Sequence, residues 1–212
     1  MEAEAGGADR LELVRSLENG GLTPSVELVR GVVEAVSIPV RVMLRENASM
    51  SIGGESEIRS LQAHASAFAK LPIDGLVIGF IRDGALDLDE TSEILTAAQG
   101  CRATFHRAFD HVRDPLGAAQ QLKALTQIDR VLTSGGPGSW RERKERLLEW
   151  QRAALPEIKL IIAAGMCSSV LTESSEMERE SEIHVGRAAR IPQITSGSVN
   201  RVQVASVKRL LG

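Results

Sequence analysis

A chain of 212 residues is long enough for one sizeable domain, which would bury roughly 70% of the surface of the unfolded chain. With 43% hydrophobic and 25% charged residues, the composition is typical of a globular protein and excludes a largely disordered one. A formal net charge of −3 and only 3% aromatic residues argue against nucleic acid as the main partner.

The cysteine content and the apolar runs indicate where the protein resides. Cys101 and Cys167 make no CxxC metal pair, and so low a cysteine content is typical of a reducing compartment. The longest apolar runs have the length of strands, and the N-terminal sequence MEAEAGGADR lacks the basic and apolar regions of a signal peptide. The sequence therefore predicts a cytoplasmic protein without a membrane partner.

Short apolar runs alternate along the chain with longer stretches of helical periodicity. Several helices have clear start signals: Thr23-Pro24, Asp114-Pro115, and Asp87 or Asp89 before the sequence ETSEILTAA. The predicted strands are Arg10–Val14, Pro39–Arg45, Gly75–Phe80, Arg102–Phe109, Arg130–Gly135, Lys159–Gly165 and Glu182–Gly186.

This alternation predicts an α/β protein with a parallel sheet and helices outside it, and it favours a (β/α)₈ barrel. A complete barrel has eight strands in about 250 residues, whereas we identify seven strands here. The sequence EAEAGGA at the N-terminus reads as the end of a helix, so we expect the first strand to be the one that is lacking. The expectation is an open or distorted barrel, or a chain begun at an internal Met.

The C-terminal part predicts one addition to the barrel. Residues 192–198, PQITSGS, form a loose segment, and residues 200–212, NRVQVASVKRLLG, have helical periodicity. We therefore expect a barrel over residues 1–191 and a linker with a C-terminal helix over residues 192–212, the helix packing on the barrel.

Polar residues follow most of the predicted strands. In a parallel barrel all strands direct their carboxyl ends to one face, where active sites lie. We therefore predict that one site collects ligand-binding and catalytic residues from these strand ends: Glu12, Arg45, His106, Arg107, Asp110, Ser134, Gly135, Gly136, Gly165 and His184.

The strand that contains His106 offers two alternatives. If the strand continues to Phe109, His106 and Asp110 share one face, and the carboxylate would fix the imidazole tautomer or accept a proton. The alternative is that His106 is a core histidine with satisfied hydrogen bonds and that Arg107 pairs with a neighbouring carboxylate. A second strand-end histidine, His184, favours a functional site.

Two glycine-rich loops, SGGPGS and AAGMCSS, each lead into a helix. Because backbone N–H groups at helix starts attract anions, these loops predict a small anionic ligand. Glycine also simply permits a tight turn. For a metal, Met166 and Cys167 are candidate soft ligands at the predicted open face, which His106 or His184 could approach, whereas Cys101 lies at the opposite end of its strand.

The blocks EAGGADRLEL, GGLTPS, ATFHRAFD, DRVLTSGG and SEIHVG resemble the CutC family of copper homeostasis proteins. The resemblance covers most of residues 2–190 and implies a cytoplasmic TIM-type barrel, usually oligomeric, that binds Cu(I). It also implies that the first strand is absent here. The chain differs from the family pattern at Val14, where a cysteine is common, at residues 45–47, which read Arg-Glu-Asn, and at residues 164–166, which read Ala-Gly-Met.

Three functions follow as hypotheses. The first is a non-catalytic role in copper homeostasis or metal binding. The second is an enzyme that acts on a small anionic metabolite, with His106 as general acid or base, Asp110 orienting it, and Arg45 and Arg107 binding the negative charge. The third is an inactive, degenerate barrel.

Overall fold

The protein is described by a computed structural model that covers residues 1–163, 165, 170 and 181–211. The seven predicted strands are all present, together with two short hairpins that the sequence analysis did not predict. The strands are β1 (Leu11–Leu13), β2 (Val40–Met43), β3 (Gly75–Ile78), β4 (Ile81–Arg82), β5 (Ala85–Leu86), β6 (Arg102–Phe105), β7 (Ile128–Thr133), β8 (Lys159–Ile162), β9 (Ser181–Ile183), β10 (Arg190–Ile191) and β11 (Ser198–Val199).

Helices follow most of the sheet strands, as the alternation predicted. They are α1 (Glu2–Ala5), α2 (Val26–Ala35), α3 (Glu55–Phe68), α4 (Leu88–Thr96), α5 (Pro115–Gln121), α6 (Trp140–Ala154) and α7 (Arg201–Leu211). Asp87 and Asp114 cap α4 and α5 as predicted, by accepting hydrogen bonds from the backbone N–H groups of Glu90 and Gly117. None of the helices in the described ranges has the length and apolar character needed to cross a bilayer.

One parallel sheet organises the chain. Its order is β1-β2-β3-β6-β7-β8-β9, and every neighbouring pair is parallel. The sheet curls into a half-barrel of the α/β type, with helices on its outer face. Within the described residues no backbone ladder joins β1 to β9, in agreement with the prediction of an incomplete barrel.

The two faces of the strands carry different side chains, because successive residues point to opposite faces. The outward residues pack under the helices in a continuous apolar core in which Val42, Leu76, Phe105, Val131 and Leu160 are fully buried. The inward residues are mostly charged at the N-terminal ends of the strands.

Six of these inward side chains form a closed ring of alternating charge, here called the ion ring. Asp74 accepts from Arg10 and Arg41, Asp129 accepts from Arg41 and Arg130, and Glu182 accepts from Arg130 and Arg10. The link between Arg10 and Glu182 joins the two ends of the sheet. The ring therefore closes the half-barrel with side chains where no described backbone ladder does.

Arg41 is the most deeply buried member of the ion ring, with 3% of its side chain exposed. Its guanidinium binds Asp129 through two hydrogen bonds of 2.6 and 2.8 Å, Asp74 at 2.7 Å and the Thr104 hydroxyl at 2.7 Å. A bidentate pair of this kind is among the stronger ionic contacts in proteins.

A shift in strand register brings Asp129 into the ion ring. Ala103 pairs with Ile128, whereas the next residue, Thr104, pairs with Arg130, so Asp129 is an extra residue in β7. A bulge of this type places two consecutive side chains on one face of a sheet. Both Asp129 and Arg130 therefore reach the lumen.

The ion ring favours the charged form of Asp74 and Glu182. Burial alone would raise the pKa of Asp74 and Glu182, but the hydrogen bonds and charges of their arginine partners outweigh it and lower both pKa values. Groups of this kind stabilise the fold above the pKa of the unfolded carboxyl, and the stabilisation is lost as the pH falls through the folded pKa.

We predict that Arg41→Met lowers the free energy of unfolding by about 3 to 5 kcal/mol, because it leaves Asp129 buried and short of its main partner. Urea unfolding followed by circular dichroism at pH 7 measures this. Arg141→Met is the control, because the Arg141–Glu145 pair is exposed and surface pairs contribute about 0 to 1 kcal/mol. Equal free energies of unfolding for the two variants would contradict a structural role of the ring.

Candidate functional site

A cavity of about 630 Å³ opens at the carboxyl ends of the strands, at the opposite end of the lumen from the ion ring. Sequence reasoning placed ten residues at this face, and the described cavity wall includes six of them: Glu12, Arg45, His106, Arg107, Gly165 and His184. These six form the candidate site. Asp110, Ser134, Gly135 and Gly136 lie behind the wall.

Arg45 is a buried cation with no close carboxylate. Only 3% of the residue is exposed, and no carboxylate oxygen among the described residues lies within 4.0 Å of its guanidinium. Nη2 donates to the carbonyl oxygen of Asn19 at 2.7 Å, Nη1 lies 3.4 Å from the Met50 sulfur, and Nε has no described partner. Burial lowers the pKa of Arg45, which the charge of Glu12 partly offsets.

The GGLTPS loop supports Arg45. The Thr23 hydroxyl and the backbone of Arg45 exchange two hydrogen bonds, of 3.0 and 2.9 Å. Thr23 is therefore not the helix cap that the sequence predicted; Ser25 caps α2 instead, by accepting from the Leu28 N–H. Gly20 has a φ of +80°, and a Cβ there would lie 3.0 Å from Nη2 of Arg45. Glycine at position 20 thus lets the loop approach the guanidinium.

His106 is buried and neutral. Its Nδ1 accepts a hydrogen bond of 3.1 Å from the Ala108 N–H, so the proton of the neutral ring lies on Nε2. That Nε2 is buried and has no described partner. Burial, with the charge of Arg45 as a second cause, lowers the pKa of His106 to about 3. At neutral pH the ring is therefore a hydrogen-bond donor without an acceptor, on the wall of the cavity.

The predicted contact between His106 and Asp110 is not formed. The strand ends at Phe105, not at Phe109, and residues 107–111 form a 3-10 helix. His106 caps this helix, because its Nδ1 accepts the hydrogen bond from the Ala108 N–H. Asp110 instead accepts from the Thr133 hydroxyl at 2.6 Å, the Ser134 N–H at 2.9 Å and Arg107 Nε at 2.8 Å. Asp110 thus holds Arg107 and the loop after β7.

The SGGPGS loop does not present its backbone donors to a ligand. The N–H groups of Ser134, Gly135 and Gly136 donate to the side chains of Asp110, Thr133 and Ser134, at 2.9, 3.1 and 3.2 Å. Since these three N–H groups already donate to side chains of the protein, they are not free to bind an anion as predicted. Gly165, from the second glycine-rich loop, does line the cavity.

Glu12 and His184 lie at the two ends of the curled sheet and meet inside the cavity. Glu12 is on β1, His184 directly follows β9, and Oε2 of Glu12 lies 3.8 Å from Nδ1 of His184. The pair is longer than a hydrogen bond, so both groups retain capacity for a ligand.

Sequence reasoning missed several residues of the cavity wall. His111, Met43 and Met50 line the cavity, although the sequence did not predict them as site residues. Met43 could have been found from the strand alternation, because it lies two residues before Arg45. The positions of Met50 and His111 depend on loop conformations that no sequence period describes.

The described residues offer no ready metal centre. They contain no group of three or more His, Cys, Asp or Glu side chains that could hold an ion. The proton on Nε2 of His106 and the nearby guanidinium of Arg45 both oppose a cation. The predicted ligands Met166 and Cys167 lie outside the described residues.

Fold and site together define a parallel half-barrel with a small-molecule cavity at the carboxyl ends of its strands. A model of the CutC family matches residues 1–191. A CutC family protein of Mesorhizobium japonicum is 34% identical over 91% of this chain and 74% of its own length. The human copper homeostasis protein cutC homologue is 34% identical over 87% of this chain and 67% of its own length.

The fold has a solved counterpart. The crystal structure of the CutC protein from Streptococcus agalactiae superposes with a TM-score of 0.74 at 24% identity, over 83% of this chain and 87% of that one. The chain therefore belongs to the CutC family, as the five sequence blocks predicted.

We predict that His106 does not gain a proton between pH 8 and pH 5. Its ¹⁵N chemical shifts should remain those of a neutral ring protonated at Nε2. A charged imidazole would lose the hydration free energy that it has in water, so burial disfavours the charged form. Since the unfolded chain binds this proton near pH 6.5, the group also lowers stability as the pH falls from there towards 3. A titration midpoint between 6 and 7 would contradict the burial of His106.

Proposed function

We propose that this protein acts in copper homeostasis, and that its cavity contributes by binding a small anionic molecule. The first part rests on family membership and on the names of the human and mouse relatives, both copper homeostasis protein cutC homologues. The second part rests on the site itself, because a shared fold does not define a ligand.

The observation that carries the anion proposal is that no carboxylate among the described residues contacts the buried guanidinium of Arg45. A buried charge is normally paired, since removing it from water is costly. The described hydrogen-bond partners of Arg45 are a carbonyl oxygen and a thioether, and the charge of Glu12 acts only from beyond contact distance, so the positive charge is only partly compensated. A carboxylate or phosphate in the cavity would supply the missing negative charge.

His106 supports the same ligand class. Its Nε2–H has no acceptor in the protein, and a bound oxygen atom would provide one. Arg187 adds positive charge to the wall, whereas Arg107 is already paired with Asp110. The set of donors resembles a site that binds one negatively charged group deep in the lumen and admits the remainder of the ligand from the open end.

Copper as a directly bound cargo is the second candidate. The sulfur atoms of Met43 and Met50 on the cavity wall favour it, because Cu(I) prefers soft ligands. Met50, however, faces a guanidinium N–H, and His106 offers a proton where a metal needs a lone pair. A Cu(I) site would therefore have to use Met166 and Cys167 in preference to His106.

We further propose that the protein works in the cytoplasm as a homo-oligomer. The free thiol of Cys101 suits a reducing compartment. Ile191, Ile194 and Val202 are exposed by 51%, 50% and 62%, which leaves apolar side chains available for contact between copies.

We predict that the wild-type protein binds inorganic phosphate and dihydroxyacetone phosphate, and that Arg45→Gln weakens both by about tenfold or more, because it removes a charged hydrogen-bond donor. Phosphorus NMR line broadening measures the binding. Arg59→Gln, an exposed arginine on α3, is the matched control and should bind as the wild type does. Unchanged affinity in Arg45→Gln, or no binding at millimolar concentration, would remove the anion proposal.

For copper, we predict that His106→Ala leaves the affinity for Cu(I) unchanged, because Nδ1 of His106 accepts from the Ala108 N–H and its Nε2 carries the proton. An anaerobic titration against a competing Cu(I) chelator gives this affinity for the variant and for the wild type. A decrease of more than tenfold in the variant would instead indicate that Cu(I) binds at His106 in the cavity.

A further inference from the structure

Glu12 is the only lumenal carboxylate in the described chain without an arginine in contact. Asp74, Asp129 and Glu182 each accept from two arginines of the ion ring. Nδ1 of His184 lies 3.8 Å from Oε2 of Glu12, the Arg45 guanidinium acts on Glu12 only from beyond contact distance, and the Glu12 side chain accepts no hydrogen bond from any described residue. Its negative charge is therefore available on the cavity wall.

The cavity thus holds three groups whose hydrogen-bonding capacity the protein leaves unused. They are a free carboxylate on Glu12, a guanidinium without a contacting carboxylate on Arg45, and a neutral N–H on His106. The charge of Glu12 partly offsets the burial of Arg45, but a carboxylate on the wall of a site that only bound an anion would also oppose binding, because the two charges are alike. The carboxylate therefore requires a separate explanation.

We propose that the cavity catalyses proton transfer at a carbon atom next to a carbonyl group of the bound anion, with Glu12 as the general base. The inference rests on the proposed anion-binding function and deepens it. It restricts the ligand class to small carboxylates or phosphate esters that carry an aldehyde or ketone group with an adjacent C–H bond.

Each group has a defined part in the step. Arg45 binds the carboxylate or phosphate group and fixes the substrate in the lumen. The Glu12 carboxylate removes a proton from the carbon next to the carbonyl group, and the electron pair of that C–H bond moves to form a C=C bond while the C=O π electrons move to oxygen. The resulting enolate oxygen accepts the Nε2–H of His106. Return of the proton from Glu12 to carbon restores the carbonyl compound, so no further reactant is needed.

A neutral imidazole suits this role. A donor that is aimed at an oxygen before charge develops there stabilises the transition state more than the ground state. Because the ring remains neutral at physiological pH, it donates a hydrogen bond without giving up its proton, the division of labour seen where a carboxylate base works with a neutral histidine. The role of His106 is therefore to donate, not to act as the general base.

The experiment is hydrogen exchange in D₂O, followed by proton NMR, with dihydroxyacetone phosphate and pyruvate as probes. Wild type, Glu12→Gln and Glu34→Gln are compared, the last being an exposed glutamate on α2. Binding of dihydroxyacetone phosphate to each protein is recorded in the same samples by phosphorus NMR.

For at least one probe, we expect exchange next to the carbonyl group to be faster with wild type and with Glu34→Gln than in buffer. The exchange catalysed by Glu12→Gln should be at least 100-fold slower than that catalysed by the wild type. Glu12→Gln should bind dihydroxyacetone phosphate at least as tightly as the wild type does. If the phosphate binds but exchange equals the buffer rate for both probes, or if Glu12→Gln exchanges like the wild type, the proton-transfer proposal is overturned and anion binding stands. If dihydroxyacetone phosphate does not bind to the wild type, the anion-binding part of the proposed function fails.

Discussion

The ion ring is the interaction on which the rest of the structure depends. Strand alternation forces every second side chain into the lumen, where charged groups are stable only if they are paired. At the N-terminal ends of the strands, three arginines and three carboxylates neutralise one another, and Arg10 and Glu182 connect the two ends of the sheet. At the carboxyl ends the pairing is incomplete, and this difference creates the site.

The incomplete pairing gives the cavity its chemical character. Arg45 retains its charge, His106 retains an unused N–H, and Glu12 retains a free carboxylate within one space of about 630 Å³. Because the three groups are largely shielded from bulk water, hydrogen bonds and ionic contacts to each of them would stabilise a bound ligand. A site of this composition suits a small anion with a reactive carbonyl group better than it suits a soft cation.

Strand periodicity predicted much of this arrangement. The seven strands, their parallel order and the strand-end positions of Glu12, Arg45 and His184 follow from alternation and spacing. The bulge at Asp129 could not be predicted, because a one-residue register shift leaves no trace in the period. The predicted extension of β6 to Phe109 was wrong, because the Ala108 N–H donates to Nδ1 of His106 and the chain turns there into a 3-10 helix.

The central claim is that the carboxyl end of the lumen binds an anion through Arg45 and His106. A crystal structure of the protein grown with phosphate tests it most directly. The account predicts a phosphate oxygen within about 3.2 Å of the Arg45 guanidinium and a second within the same distance of Nε2 of His106. Electron density for a metal ion on that nitrogen, or a cavity that holds only water at saturating phosphate, would contradict it.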